Sequence, residues 1–304
     1  MKSAGLFQKR PDSVSFLIVL LHTAFVFLPL YLAASRAPGW HLVFFSLWFG
    51  IGMNGLLNLL HECAHLHVFR KPGASVFLGR WILGPLVLAD FDGYQKRHWD
   101  HHRDLGRDTD PKYVYRQDIR GKNFASFLLR CLLLPEAAKK FSVQTPSAQT
   151  APSNGKWWVP RALLAQAVLF GTIYVTALAT AEPKTALWHT VAAYVCVYIY
   201  GIAAITVFVS SLRAIAEHQI GDDGAWTTGN AALRNFSFGC FSGFLLGAYG
   251  FKDHASHHQE PGIPYYHLPE KTRELAAENR AFAPAAPYEK VLFSLVKKKT
   301  TPRR

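Results

Sequence analysis

HLVFFSLWFGIGMNGLLNLL, residues 41–60, runs without a break into His61-Glu62-Cys63-Ala64-His65. As a helix the apolar run is about 30 Å long, the thickness of bilayer hydrocarbon, so it ends just short of two histidines four residues apart. If the helix continues, His61 and His65 lie on one face. Two further clusters follow the same plan: His98-Trp99-Asp100-His101-His102 and His254-Ala255-Ser256-His257-His258. The three hold eight of the 14 histidines. Spacings of three and four residues turn each cluster toward one side of a helix. Eight converging imidazoles are too many for one tetrahedral zinc, which takes four ligands. They suit two transition-metal ions, with imidazole favouring iron, copper, nickel or zinc.

Composition points to a membrane protein. Half of the residues are hydrophobic, 14% are aromatic and only 17% are charged. Cys63, Cys131, Cys196 and Cys240 are scattered, with no CxxC pair, so neither a disulfide frame nor an iron–sulfur site is indicated. The basic start, residues 1–12, precedes a long apolar run without a small-residue cleavage site, which reads as a retained first helix. A net charge of +13 raises the question of nucleic acid. No basic helix with interleaved stacking aromatics supports that, and no nucleic-acid partner is expected.

Four spans are expected. Ser13–Ala34 and His41–Leu60 form a first hairpin around the turn at residues 35–39. Leu163–Ala181 and Leu187–Ala216 form a second around Ala181-Glu182-Pro183-Lys184. The last run, about 45 Å as a helix, overshoots the hydrocarbon and carries Arg213, Glu217 and His218 beyond it. Residues 75–90 are apolar but short, with Gly84 and Pro85 inside, and read as an interfacial or re-entrant helix. Residues 123–135 and 236–251 read as interfacial segments, residues 142–156 as a mobile linker, and 290–304 as a basic tail. The two short turns carry only Arg36 and Lys184. Nearly all other Lys and Arg fall in the termini and the cluster-bearing segments, which places those in the cytosol. Six spans remain open if two of the short helices cross.

Within the first cluster, His61-Glu62-Cys63-Ala64-His65 also matches HExxH, the zinc-protease signature in which glutamate is the general base. A protease has no use for two HxxHH groups. A metal transporter is disfavoured because the histidines gather at one membrane face.

The HxxxH, HxxHH and HxxHH boxes at the ends of two hairpins resemble the histidine boxes of the membrane fatty acid desaturase superfamily. That superfamily also includes carotenoid ketolases and hydroxylases and alkane-type hydroxylases. The third box continues through Pro261, Pro264, Leu268 and Pro269 in a similar HH-x-x-P…L-P tail, and the second through Arg103 and Asp110-Pro111. The resemblance covers roughly residues 10–275. It implies an all-α integral membrane protein, a single domain over 1–304, with four transmembrane helices in two hairpins, interfacial helices and a cytosolic di-iron histidine cap. It implies an oxygenase that uses two Fe ions, O₂ and two electrons to remove hydrogen from an unactivated C–H bond. By motif the ligands are His61, His65, His98, His101, His102, His254, His257 and His258, and His218 matches the place of a further one. The substrate implied is a lipid acyl chain, with a carotenoid or alkane hydroxylase or ketolase as the alternative. His67 lies off the face of the first box, His267 reads as supporting or surface, and His22, His41 and His189 read as packing or interface residues.

Ligand imidazoles commonly donate their second N–H to a carboxylate. Glu62, Asp100, Asp104, Glu217 and Asp253 are the candidates, each equally well explained by a solvated surface. Trp99 and Tyr94 are candidates for lining an acyl groove. No GxGxxG, haem motif or cysteine cluster is present, so a separate electron donor, a ferredoxin or cytochrome, is expected on the basic face. The inner (cytoplasmic) membrane is the expected location.

Overall fold

The computed structural model describes residues 9–107, 109–112, 119, 122–137, 157–218, 233–239 and 242–297. Four helices are long and apolar enough to cross a membrane: α1 (Asp12–Ala34), α2 (His41–Ala64), α6 (Trp158–Thr180) and α7 (Pro183–Glu217). Between them lie α3 (Pro72–Leu86), α4 (Phe91–Asp104) and α5 (Lys122–Leu132). After them come α8 (His254–Gln259), α9 (Leu268–Glu278) and α10 (Tyr288–Lys297). No strand occurs among the described residues, only isolated bridges such as His218 with Leu233.

The hairpins are antiparallel, so α1 and α6 begin at the end of the bundle where α2 and α7 finish. At the opposite end His189 meets the Ala34 carbonyl at 3.3 Å. Helices α2 and α7 cross at Gly50 and Gly201, where a Cβ on Gly50 would overlap Ile205 and the Gly201 carbonyl at 2.5–2.8 Å. Close approach at that point lets polar side chains tie backbone to backbone. Ser46 donates to the Cys196 carbonyl at 2.6 Å, and Thr206 to the Gly50 carbonyl at 3.0 Å. Helix α7 is wound as a π-helix over Ala193–Ile199 and Gly201–Thr206, either side of that crossing. At 35 residues α7 is longer than a bilayer requires, as its composition led us to expect, and it ends at Glu217 beside the histidines.

Helices α3 and α4 meet at a bend of 106°, the geometry of either a broken span or a re-entrant loop. Asp90 caps α4 by accepting from the Gly93 amide at 3.2 Å, and Gln95 donates to the Ala64 carbonyl at 2.9 Å. Cap and tether together aim α4 at the end of α2. The bent pair raises the count of candidate spans to five at most. Helix α5 is amphipathic as expected, with Phe127 buried and Leu129 exposed.

Two segments take forms that the sequence left open. Residues 236–251, read as an interfacial segment, hold a single described α-helical turn, Ser242–Leu245. Asn54 and Asn58, buried on α2, donate to the carbonyls of Leu245, Leu246 and Ala248 at 3.0–3.3 Å, which ties this glycine-rich stretch to the bundle as irregular backbone. Residues 290–297, the first part of the basic tail, belong to α10: Tyr288 and Val291 are buried against α7 and the 236–251 segment. The expected linker at 142–156 lies outside the described residues, as do residues 1–8 and 298–304.

Candidate metal centre

Helix geometry decides how the boxes share their nitrogens. Residues i and i+4 sit about 40° apart around a helix, and i+3 about 60° to the other side. On α4, His98 and His102 therefore turn one way and His101 the other. On α8, His254 and His258 pair, and His257 diverges. The result is two adjacent sets of ring nitrogens, the members of each grouping within 4.8 Å of one another. The first is His61, His65, His98, His102 and His257. The second is His101, His254 and His258, joined by Glu217 and His218 through His254. The sets touch where His102 stacks on His258, ring centroids 4.0 Å apart. All nine histidines singled out in the sequence are thus brought together.

The rings fit metal ions. In the first set, His65 Nε2 and His102 Nε2 lie 2.6 and 3.0 Å from His98 Nε2. That is near the edge of about 3.0 Å between neighbouring nitrogens around an ion bound at about 2.1 Å in octahedral geometry. Both ring nitrogens of His254 and of His257, and Nε2 of His61 and His258, are buried with no hydrogen-bond partner among the described residues. Buried polar atoms are otherwise almost always satisfied. Burial, followed by the neighbouring histidines and the Lys112 ammonium, keeps His102 down at about 3. Burial and then Lys112 lower His101 to about 4, against the pull of Asp110. Burial also pushes His65, His98, His218, His254, His257 and His258 well down. Neutral imidazoles are the metal-ligating form.

Carboxylates stand behind some of the rings. Glu62 Oε1 accepts from His61 Nδ1 at 2.9 Å, and its other oxygen is 3.6 Å from His67 Nδ1. Glu217 is held by Tyr288 at 2.9 Å and Arg213 at 3.4 Å, with His254 Nε2 at 3.7 Å. Asp100 and Asp104 instead pair with Lys96 and Arg103, and Asp253 with Lys252 and Thr272. Sequence reasoning missed Asp110 as a supporting group: its Oδ1 accepts from His101 Nδ1 at 2.8 Å, and it also takes the Gly106 and Lys112 amides. The Asp110-Pro111 pair eight residues past the box was the available signal. Also missed were Asn235, which clamps α8 through Ser256, and Arg234, which binds the Ala216 and His218 carbonyls and fixes His218 beyond α7.

The remaining histidines stay outside. His67 borders Glu62, His267 precedes α9 with its ring against Tyr266, and His41 and His189 belong to the far end. His22 bonds Tyr249 within the bundle. Tyr94 stacks on His98, and Trp99 lies edge-on to His65 while remaining partly exposed. No curated protein gives a significant match. The model of the family described as "Fatty acid desaturase" does match, over residues 38–288, from the first box through the third, and the chain belongs to that family.

Proposed function

We propose that this oxidoreductase introduces double bonds into fatty acyl chains of lipids, with O₂ and electrons from a separate ferredoxin or cytochrome. The observation that carries the reading is the convergence of nine histidines into two buried, unprotonated nitrogen sets at one end of an apolar bundle. We assign His61, His65, His98, His102 and His257 to one iron, and His101, His218, His254 and His258 to the other. Two Fe ions bound there supply the O₂-dependent oxidising power that C–H cleavage demands. The protein's own part is to orient and to exclude water. Glu62 and Asp110 each fix a ring tautomer by accepting from Nδ1, and Tyr94 and Phe251 wall the rings from solvent. The spans sit in the inner (cytoplasmic) membrane as one domain over 1–304, with the histidine end on the cytosolic face, where the basic segments fall.

Glu62 speaks against a protease, because both its oxygens face imidazoles instead of a substrate water. Expression with a matching electron donor, followed by mass spectrometry of total lipids, tests the reaction. New double bonds are the expected outcome; new hydroxyl or keto groups would replace desaturation by hydroxylation or ketolation. Metal analysis is expected to find iron, and zinc with peptidase activity abolished by Glu62→Gln would overturn the proposal.

A further inference from the structure

Two apolar grooves run along the outside of α1. One, about 500 Å³, lies between α1, α3 and α6 and includes Arg161. The other, about 600 Å³, lies between α1, α2 and the 238–252 segment. Both volumes fall in the range of small-molecule sites. They differ in charge and in what lies behind them.

Arg161 is already committed: it donates to the Trp157 carbonyl at 2.8 Å, stacks over Trp81 and lies 3.9 Å from the Asp92 carboxylate. None of the residues around that groove touches the histidines. Arg10, at the cage end of the second groove, has no carboxylate partner among the described residues. Its amide donates to the Tyr266 hydroxyl, its guanidinium to the Tyr265 hydroxyl at 3.2 Å, and it stacks 4.1 Å over Tyr266. Below it the walls are apolar, and Leu21, Phe25 and Phe238 on its rim are exposed where hydrocarbon would meet a membrane span. The second groove is amphiphilic: of its two described cations Lys252 is paired with Asp253, and Arg10, without a carboxylate partner among the described residues, stands above a mostly oily slot.

Tyr249 lines that groove and on its other side packs with Gly250, Phe251 and Leu268 over His61, His254 and His257, so it stands between groove and histidines. Its position is held from α1. His22 Nδ1 and the Tyr249 hydroxyl form a hydrogen bond at 2.5 Å, and the two rings stack. His22 fits only because residue 55 is glycine, since a Cβ there would overlap its ring. Tyr249 and Gly250 are consecutive residues in the left-handed region, φ 55° and 78°. For tyrosine that backbone is sparsely populated and persists when surrounding contacts enforce it.

We propose that this groove takes the acyl chain of an anionic bilayer lipid with its headgroup at Arg10, and that Tyr249, latched to His22, is the partition the chain displaces to reach the cage. The inference rests on the desaturase reading. The test is photolabelling of the metal-loaded protein in lipid nanodiscs with a long-chain fatty acid bearing a terminal diazirine, and with the matching uncharged alcohol. Peptide mass spectrometry then locates the adducts. Label is expected on residues 21–25 and 243–249. Arg10→Gln is expected to cut acid labelling about tenfold, the loss of one charge-assisted contact, and to leave alcohol labelling unchanged. Tyr249→Ala is expected to spread adducts to Phe251 and Leu268 beside the cage, with metal content as the folding control; if that variant loses metal, His22→Leu must produce the same spread.

Adducts confined to the α1–α3–α6 groove, equal loss of acid and alcohol labelling in Arg10→Gln, or no spread on opening the latch would each overturn the proposal. Lipid products measured on the same preparation separate the two claims. Double bonds formed with labelling elsewhere sink the groove and spare the reaction. Labelling as expected with no double bonds does the reverse.

Discussion

His61, His65, His98, His102 and His257 face one another with, among the described residues, one carboxylate behind them, Glu62 on His61. The neighbouring set of His101, His218, His254 and His258 has two, Asp110 on His101 and Glu217 beside His254. The first is rich in nitrogen and poor in charge; the second has fewer rings and more acid. Arg213 and Tyr288 hold Glu217, which limits how much of its charge reaches the rings. Two ions in these sets would not be equivalent, and the inequality comes from groups that touch the ligands, not from the ligands themselves.

The largest effect expected is at the seam. His102 and His258 stack face to face, one from each set. His102→Ala should remove the ion of the first set and His258→Ala that of the second, each lowering bound iron from about two per chain to about one and abolishing activity. Metal analysis with activity assays checks this, and loss of both ions from either variant would mean that the two sets act as a single site. Next come the supporting carboxylates. Asp110→Asn and Glu62→Gln should each weaken one ion about 10–100-fold, Asp110 the second set and Glu62 the first. Metal titration of the apo-protein followed spectroscopically reads the two steps apart. A uniform weakening of both steps by either variant breaks the comparison.

How much of this was legible in the sequence depends on the period of each segment. The box histidines sit at helical spacings, so their faces follow from 100° per residue, and the four long apolar runs state their own lengths. His218, just past an over-long helix, was reached only through the resemblance, whose boxes are joined by a further ligand at that place. Asp110 lies in irregular chain after α4, where no period relates it to His101, and only the tertiary path brings the two together. The 236–251 stretch looked interfacial because it is apolar, yet Asn54 and Asn58, on another helix, determine its backbone. Val291, Leu292 and Leu295 fall in what read as a basic tail, yet their spacing marks an amphipathic turn that packs with Tyr288 against α7.

Acid should sharpen the contrast further. The cage histidines titrate lower in the fold than in the unfolded chain, mainly through burial. The unfolded state therefore binds more protons between their folded values and about 6.5. Stability from these groups is complete above that pH and is lost as pH falls through the window. Iron binding should weaken over the same range, because protons and metal compete for the same nitrogens. Melting temperatures of the metal-free protein are expected to stay level from pH 8 to about 6.5 and to fall from there to about 5, and a profile flat throughout would mean that the rings are not buried neutral.

The smallest effect tests the back of the second set. The Tyr288 hydroxyl donates to Glu217 at 2.9 Å; the Phe251 carbonyl lies equally close, and the ring stacks on Phe236 at 3.7 Å. Tyr288→Phe keeps the stack and removes only the hydroxyl, for an expected loss of about 1 kcal/mol, or about 2–4 °C in melting temperature. If α10 merely covers apolar surface, that is all that should change. If it steadies Glu217 at the cage, the same variant should also weaken the second metal-binding step and leave the first alone, because no group of the first set touches Tyr288. Tyr288→Leu, which loses the stack as well, should lower stability further without adding to the change in metal affinity. A C-terminal helix would then be part of the support of one ion and not the other.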